Sequence, residues 1–239
     1  MSATTSSVSQ AVLFTAPRRP SSADVYAYSE PAGTFTGDFY LTHRDGDRLW
    51  FALGDVSGKG LNAAVIMAMI QEELEHRITS CAITRCDPST TMQRLHLFLQ
   101  PLLPGNRFAS IVIGHLRDDG LLTIANAGHC PLMIARRNGM VEEIGSTGPV
   151  AGLLKTARWT SVTRRLAPGT TVLLYSDGLL EARSPVGEEF GRDGIVNAFR
   201  RAAVEEPTAR GAADRVLSSA RIHAPTFDDD TTVLALRVT

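Results

Sequence analysis

Arg48-Leu49-Trp50-Phe51-Ala52-Leu53-Gly54-Asp55-Val56-Ser57-Gly58-Lys59-Gly60 is the stretch on which the fold turns. Residues 48–54 have strand character, Asp55 stands at the strand's end, and a glycine-rich turn feeds an apolar helical segment, residues 61–77. Rigid structure on both sides would hold such a carboxylate. The Gly-Lys ending invites comparison with a phosphate-binding P-loop, but the match fails. Only Asp55, Val56 and Ser57 separate the two glycines, and Gly60 stands where that loop needs Ser or Thr.

Three more motifs share this design: Gly37-Asp38-Phe39-Tyr40, Ser176-Asp177-Gly178 and Asp228-Asp229-Asp230-Thr231-Thr232. Each sets an Asp at one end of a strand-like run beside a turn former, where catalytic groups concentrate. If the carboxylates converged without a cation, each pair at ~4 Å would repel by about 4 kcal/mol at an effective dielectric near 20. Convergence therefore predicts a divalent metal. An all-oxygen donor set favours Mg²⁺ or Mn²⁺ over zinc. His76, Cys81 and Cys86 stand five apart but match no common zinc motif, and they read as a helix end entering a loop.

A chain of 239 residues, 44% hydrophobic with a formal net charge of −1, can bury one sizeable core. The balanced charge and the lack of a basic run argue against nucleic acid as a partner. Three cysteines, an odd count, suggest a reducing compartment and no disulfide framework. The apolar segment 11–16 is too short for a signal peptide or a membrane span. The expectation is a cytoplasmic protein with no membrane partner, in which a flexible segment 1–12 precedes a single domain, 13–239.

Period-2 apolar runs predict strands at 24–29, 38–43, 48–54, 109–117, 121–126, 132–136, 159–166, 171–176 and 232–238. Asp118-Asp119-Gly120 and Asn138-Gly139 mark hairpin turns. Helices are predicted at 61–77, 88–103, 194–204 and 208–222, the first buried all round in its early half. The Met92, Leu95, Leu99 and Leu102 stripe reads as core packing. The fold class is α+β, a four-layer α-β-β-α sandwich with a central antiparallel β-sandwich flanked by helical pairs.

Taken in order, Gly37-Asp38-Phe39-Tyr40, the 54–64 motif, Asn106-Arg107-Phe108-Ala109-Ser110, Asn126-Ala127-Gly128-His129-Cys130-Pro131, the 175–183 motif and the Asp-Asp-x-Thr at 229–232 resemble one family. It is the SpoIIE/RsbU-type bacterial serine/threonine phosphatases, within the metal-dependent protein phosphatase (PPM, protein phosphatase 2C-like) superfamily. The resemblance covers roughly residues 13–238. It implies a site for two Mn²⁺ or Mg²⁺ ions, with a third ion or a metal-bound water at Asp38. Asp55 would bridge the pair, the Val56 carbonyl would bind one ion, and Asp177 and Asp229 would complete the other's shell. Asp230 would stand beside as a neighbour, and Asp38, Asp55, Asp177 and Asp229 would be the catalytic set.

The resemblance further implies hydrolysis of phosphoserine or phosphothreonine on a STAS-type anti-sigma-factor antagonist, within a partner-switching circuit and with room for a separate regulatory partner. Ser57 occupies the place where many eukaryotic relatives carry a histidine, so no general acid is assigned. His129 is a candidate participant, although a His after Gly at a strand turn is commonly structural. The family's first motif usually reads Gly-Gly-Asp-Phe-Tyr-Asp, where this chain has Thr36 and Leu41 at its ends. Those two departures are the ground for an alternative, a catalytically weak pseudophosphatase that binds protein. A hydrolase of small phosphoesters would use the same metal chemistry. The glycine-bounded segment 188–197 is a candidate to contact a protein substrate.

Overall fold

A computed structural model of the chain describes residues 23–58, 60–80, 86–103 and 105–239. The flexible segment expected at 1–12 lies outside them, as do Lys59 and Cys81. Among the described residues, ten strands form two five-stranded sheets. The first takes β1 (Ala23–Glu30), β10 (Thr231–Val238), β9 (Thr171–Tyr175), β6 (Leu132–Ala135) and β7 (Val141–Ile144), in that order. The second runs β2 (Phe39–Asp45), β3 (Arg48–Val56), β4 (Ala109–Arg117), β5 (Leu121–Ala127) and β8 (Val162–Arg165). Every pairing between neighbouring strands is antiparallel.

Strand alternation sorts the residues into layers. On β3, Leu49, Phe51 and Leu53 turn inward and meet Val172, Leu174, Leu234 and Leu236 of the facing sheet. Their neighbours Trp50 and Ala52 turn outward into a second core under α1 (Leu61–Ser80) and α2 (Pro88–Leu99). On the other side, Leu173, Tyr175, Val233 and Ala235 pack against α4 (Gly191–Glu205) and α5 (Ala209–His223). The result is the expected four-layer α-β-β-α sandwich, with a one-turn α3 (Asp177–Leu180) after β9.

Several elements differ from their sequence reading. Helix α1 buries one stripe along its full length, Ala63, Ile66, Ile70, Leu74 and Ile78, because a helix lying on a sheet has one covered face. Leu61 and Val65 in its apolar early half are therefore exposed, at 59% and 50%. Helix α2 ends at Leu99 rather than 103. Strand β8 begins at Val162, and Trp159 leaves the sheet so that its indole N–H donates to the Pro149 carbonyl at 2.8 Å. In the glycine-bounded segment 188–197, Glu189 is bridged to Arg183 in antiparallel fashion, and the segment continues as the first turns of α4. Cys86 is disulfide-bonded, which the odd cysteine count did not suggest, and Cys130 is a free thiol. Among the described residues no helix is long and apolar enough to cross a membrane.

Candidate metal and active site

Antiparallel pairing places the end of one strand beside the start of the next, and this collects the aspartates. Asp38 immediately precedes β2, Asp55 is the penultimate residue of β3, and Phe39 pairs with Gly54. In the other sheet, Asp177 follows β9 by two residues, Asp229 and Asp230 precede β10, and Tyr175 pairs with Val233. The same ends of both sheets open on one cleft of about 580 Å³, lined by Asp38, Asp55, Asp177, Asp228, Asp229 and Asp230 with the glycines 33, 37, 58 and 60. All four sequence motifs therefore converge. Asp228, which had no assigned role, lines the cleft with them.

The carboxylates are crowded and desolvated. Burial, reinforced by the charges of Asp55 and Asp230, pushes Asp38 up to about 8, although hydrogen bonds from Thr232 and Ser176 pull the other way. Asp55 is raised to about 6 by burial and then by Asp177, Asp229 and Asp230. Asp177 is also raised, by burial and by Asp229. Asp38 is 4% exposed, and its Oδ2 has no hydrogen-bond partner. Buried acceptors of this kind are costly unless a cation or donor meets them.

The residues fit a hard divalent cation. A Cβ on Gly37 would stand 2.8 Å from Asp55 Oδ1 and 2.9 Å from the Val56 carbonyl oxygen, so only glycine lets this loop close over those two oxygens. These atoms are the two that the sequence reading assigned to metal. Oxygen donors throughout suit Mg²⁺ or Mn²⁺. Among the described residues, no three acidic, His or Cys groups close into a ready-made cage.

The aspartates of the terminal triplet have different partners. Asp230 accepts N–H bonds from Ala32 at 2.8 Å and Gly37 at 3.0 Å, so its carboxylate ties the loop before β2 to the start of β10. Asp229 accepts the Asp230 N–H at 2.9 Å and lines the cleft. Ser176, fully buried, accepts the Thr232 N–H at 2.8 Å and donates to the Asp230 carbonyl at 3.1 Å. Sequence reasoning gave Ser176 and Thr232 no role, although both stood inside the quoted motifs.

Ser57 and His129 do not line the cleft. The Ser57 hydroxyl accepts the Phe108 N–H at 2.8 Å, and the Ser57 N–H donates to the Phe108 carbonyl at 2.9 Å, which clamps the two loops together. His129 shares a hydrogen bond with Ser110 through Nδ1 at 2.8 Å, and Ser110 pairs with Asp55 across the ladder. Burial pushes the His129 ring down to about 4, so it is neutral near pH 7. His129 is not among the residues lining the cleft. Beside it, burial and then the charges of Asp177 and Asp38 push the Cys130 thiol up to about 12. Of the two family departures, Thr36 accepts the Asp38 N–H at 3.0 Å, and Leu41 packs into the core beneath the helices.

Residues 45–239 match the Stage II sporulation protein E (SpoIIE) family, and the chain belongs to it. Protein IcfG of Synechocystis sp. is 28% identical over 200 residues, which span 73% of this chain and 32% of that protein. Phosphoserine phosphatase RsbU of Bacillus subtilis is 27% identical over 182 residues, 75% of this chain and 53% of RsbU. The chain thus spans about half or less of these relatives. Among solved structures, the SiaA-PP2C domain of Pseudomonas aeruginosa superposes with a TM-score of 0.78 at 21% identity, covering 90% of this chain and 86% of that one. The RsbU and RsbW domains of Rv1364c from Mycobacterium tuberculosis superpose with a TM-score of 0.77 at 24% identity, covering 90% and 59%. These likenesses show that the fold is the PP2C-like one.

Proposed function

We propose that the chain is a Mn²⁺- or Mg²⁺-dependent phosphoprotein phosphatase acting on phosphoserine or phosphothreonine. The observation that carries this reading is the convergence of six aspartates in one cleft, two of them held at about 8 and about 6 by burial and mutual charge. Asp55, the Val56 carbonyl, Asp177 and Asp229 would hold two ions, and Asp38 a third ion or an ordered water. Bound there, divalent cations supply Lewis-acid chemistry for in-line attack of water on phosphorus and offset charge on the phosphoryl oxygens.

The chain's own residues supply the rest of the site. Asp230 and Ser176 fix the loop and strand ends that carry the ligands. The Asp38 Oδ2, buried and unpartnered, would orient an ordered water or meet an ion in the cleft. Ser57 and Phe108 hold the glycine turn at the rim.

By likeness to RsbU and to the Rv1364c pairing of RsbU and RsbW domains, the substrate is a phosphorylated STAS-type antagonist in a partner-switching circuit. The pseudophosphatase reading rested on Thr36 and Leu41. Thr36 caps the Asp38 backbone and Leu41 faces the core, so neither substitution empties the cleft.

The test is hydrolysis of a phosphoserine-bearing STAS protein, with p-nitrophenyl phosphate alongside, across a Mn²⁺ titration for wild type and Asp55→Asn. Metal-dependent turnover abolished by the substitution is expected. A folded, Mn²⁺-binding wild type with no turnover on either substrate would overturn the proposal.

A further inference from the structure

Phosphate monoesters are anions, and the cleft is built from anions. Six aspartates line it and, among the described residues, no Lys or Arg does. Even two divalent cations (+4) would leave six ionised carboxylates (−6) in excess, so a cationic side chain beside the cleft would favour an incoming phosphoryl group.

One candidate stands at the rim. Arg107 is partly buried, and its guanidinium lies against Gly58, a cleft-lining residue, with Cζ 3.6 Å and both terminal nitrogens 3.8 Å from the position a Cβ there would take. Gly58 has φ +107°, a conformation that disfavours any side chain, so this face of the turn stays open to the arginine. The stem is anchored from the next residue. The paired hydrogen bonds between Ser57 and Phe108 extend the β3–β4 ladder beyond the Val56–Ala109 pair, which sets Arg107 within three residues of Ser110, the partner of Asp55.

The guanidinium is also uncommitted. Other arginines of the fold pair with acids, among them Arg44 with Asp118, Arg192 with Glu143 and Arg221 with Glu30. Arg107 has no ion pair or hydrogen bond among the described residues, although an acidic cleft lies beside it. A planar guanidinium with free donors is the side chain best suited to bidentate phosphate recognition.

We infer that Arg107 is the phosphoryl-binding residue of this site, drawing the substrate phosphate, and the phosphate product, to the rim beside Gly58. The inference rests on the metal-site reading above and adds a specificity residue to it. Arg107 binds the anion's oxygens and does not ligate metal.

The test is binding of inorganic phosphate to the Mn²⁺-loaded protein by titration calorimetry, for wild type, Arg107→Ala and Arg107→Lys, with p-nitrophenyl phosphate kinetics in parallel. Loss of a charged hydrogen-bond donor predicts phosphate binding about 10-fold to 100-fold weaker in Arg107→Ala. KM should rise with it, Mn²⁺ affinity and melting temperature should hold, and Lys should restore part of the loss. Phosphate affinity within about twofold of wild type in both variants would overturn the inference, as would a wild type that binds no phosphate. A wild type that binds phosphate through Arg107 yet hydrolyses no ester would sink the enzymatic reading and leave this one standing. If the Ala variant fails to fold, the Lys variant decides.

Discussion

Gly37→Ala isolates the contribution of one hydrogen-to-methyl change to the metal site. Gly37 has no positive φ, so alanine suits its backbone, and on that ground alone the substitution would stabilise by about 0.4–1 kcal/mol through the unfolded chain. The added Cβ, however, would meet Asp55 Oδ1 at 2.8 Å and the Val56 carbonyl oxygen at 2.9 Å. Neither side can yield freely. Gly37 is pinned through its N–H to Asp230 at 3.0 Å and through its carbonyl to the Val56 N–H at 3.3 Å, and the Val56 carbonyl belongs to a central ladder. Overpacking of this kind costs about 1–3 kcal/mol, which outweighs the entropic gain. The side-chain oxygen of Asp55 is the softest atom in the contact, so it should move, and with it the metal geometry. The assay is denaturant unfolding with and without Mn²⁺, with Gly145→Ala as control because nothing lies within 4 Å of a Cβ there. Gly37→Ala should lower stability and weaken Mn²⁺ binding about tenfold or more, the scale of 1.4 kcal/mol, while Gly145→Ala should be neutral or slightly stabilising. Equal Mn²⁺ affinity in Gly37→Ala and wild type would refute the close packing of this loop on the ligand oxygens.

The raised carboxyls give the metal-free protein a pH dependence. Asp38 at about 8 and Asp55 at about 6 hold protons in the folded state that the unfolded chain has already released, so their contribution is full below about pH 4 and is lost as pH rises through the folded values. His115 and His129, each pushed down to about 4 chiefly by burial, act oppositely as pH falls below about 6.5. Chelated protein should therefore lose melting temperature between pH 6.5 and 8, and Mn²⁺ should flatten that slope; a flat metal-free profile there would contradict the crowded cleft. Ser176→Ala should cost about 1–3 kcal/mol by leaving the buried Thr232 N–H without an acceptor, and unchanged unfolding free energy would show that this N–H finds another partner.

Local pattern carried much of the fold. Alternation in 48–54 and 171–176 follows from the two faces of a strand, so the inward Phe51 and Leu53 and the outward Trp50 and Ala52 were implicit in the residues. The Asn138-Gly139 turn needs no distant contact to form. Local pattern misled where burial depends on a neighbour. Leu61 and Val65 read as core until the sheet's single face selected one stripe of α1, and Trp159 read as strand until the Pro149 carbonyl claimed its indole N–H.

For the site, the sequence by itself determined which carboxylates stand at element ends, because turn chemistry and strand periodicity are local. That they meet in one cleft was an inference from repulsion and resemblance until sheet order brought the starts of β2 and β10 beside the ends of β3 and β9. Only the tertiary structure decided how the terminal aspartates divide their work. Asp230 ties the loop at Ala32 and Gly37, 198 and 193 residues away in the chain, and no window of sequence contains both partners. The same holds for Gly37, whose missing Cβ matters only because Asp55 and Val56 fold against it, and for Arg107, set apart by the Gly58 it rests on and the acid it does not pair with. Side-chain types and spacing are written along the chain, whereas proximity, desolvation and hydrogen-bond pairing exist only once distant segments pack.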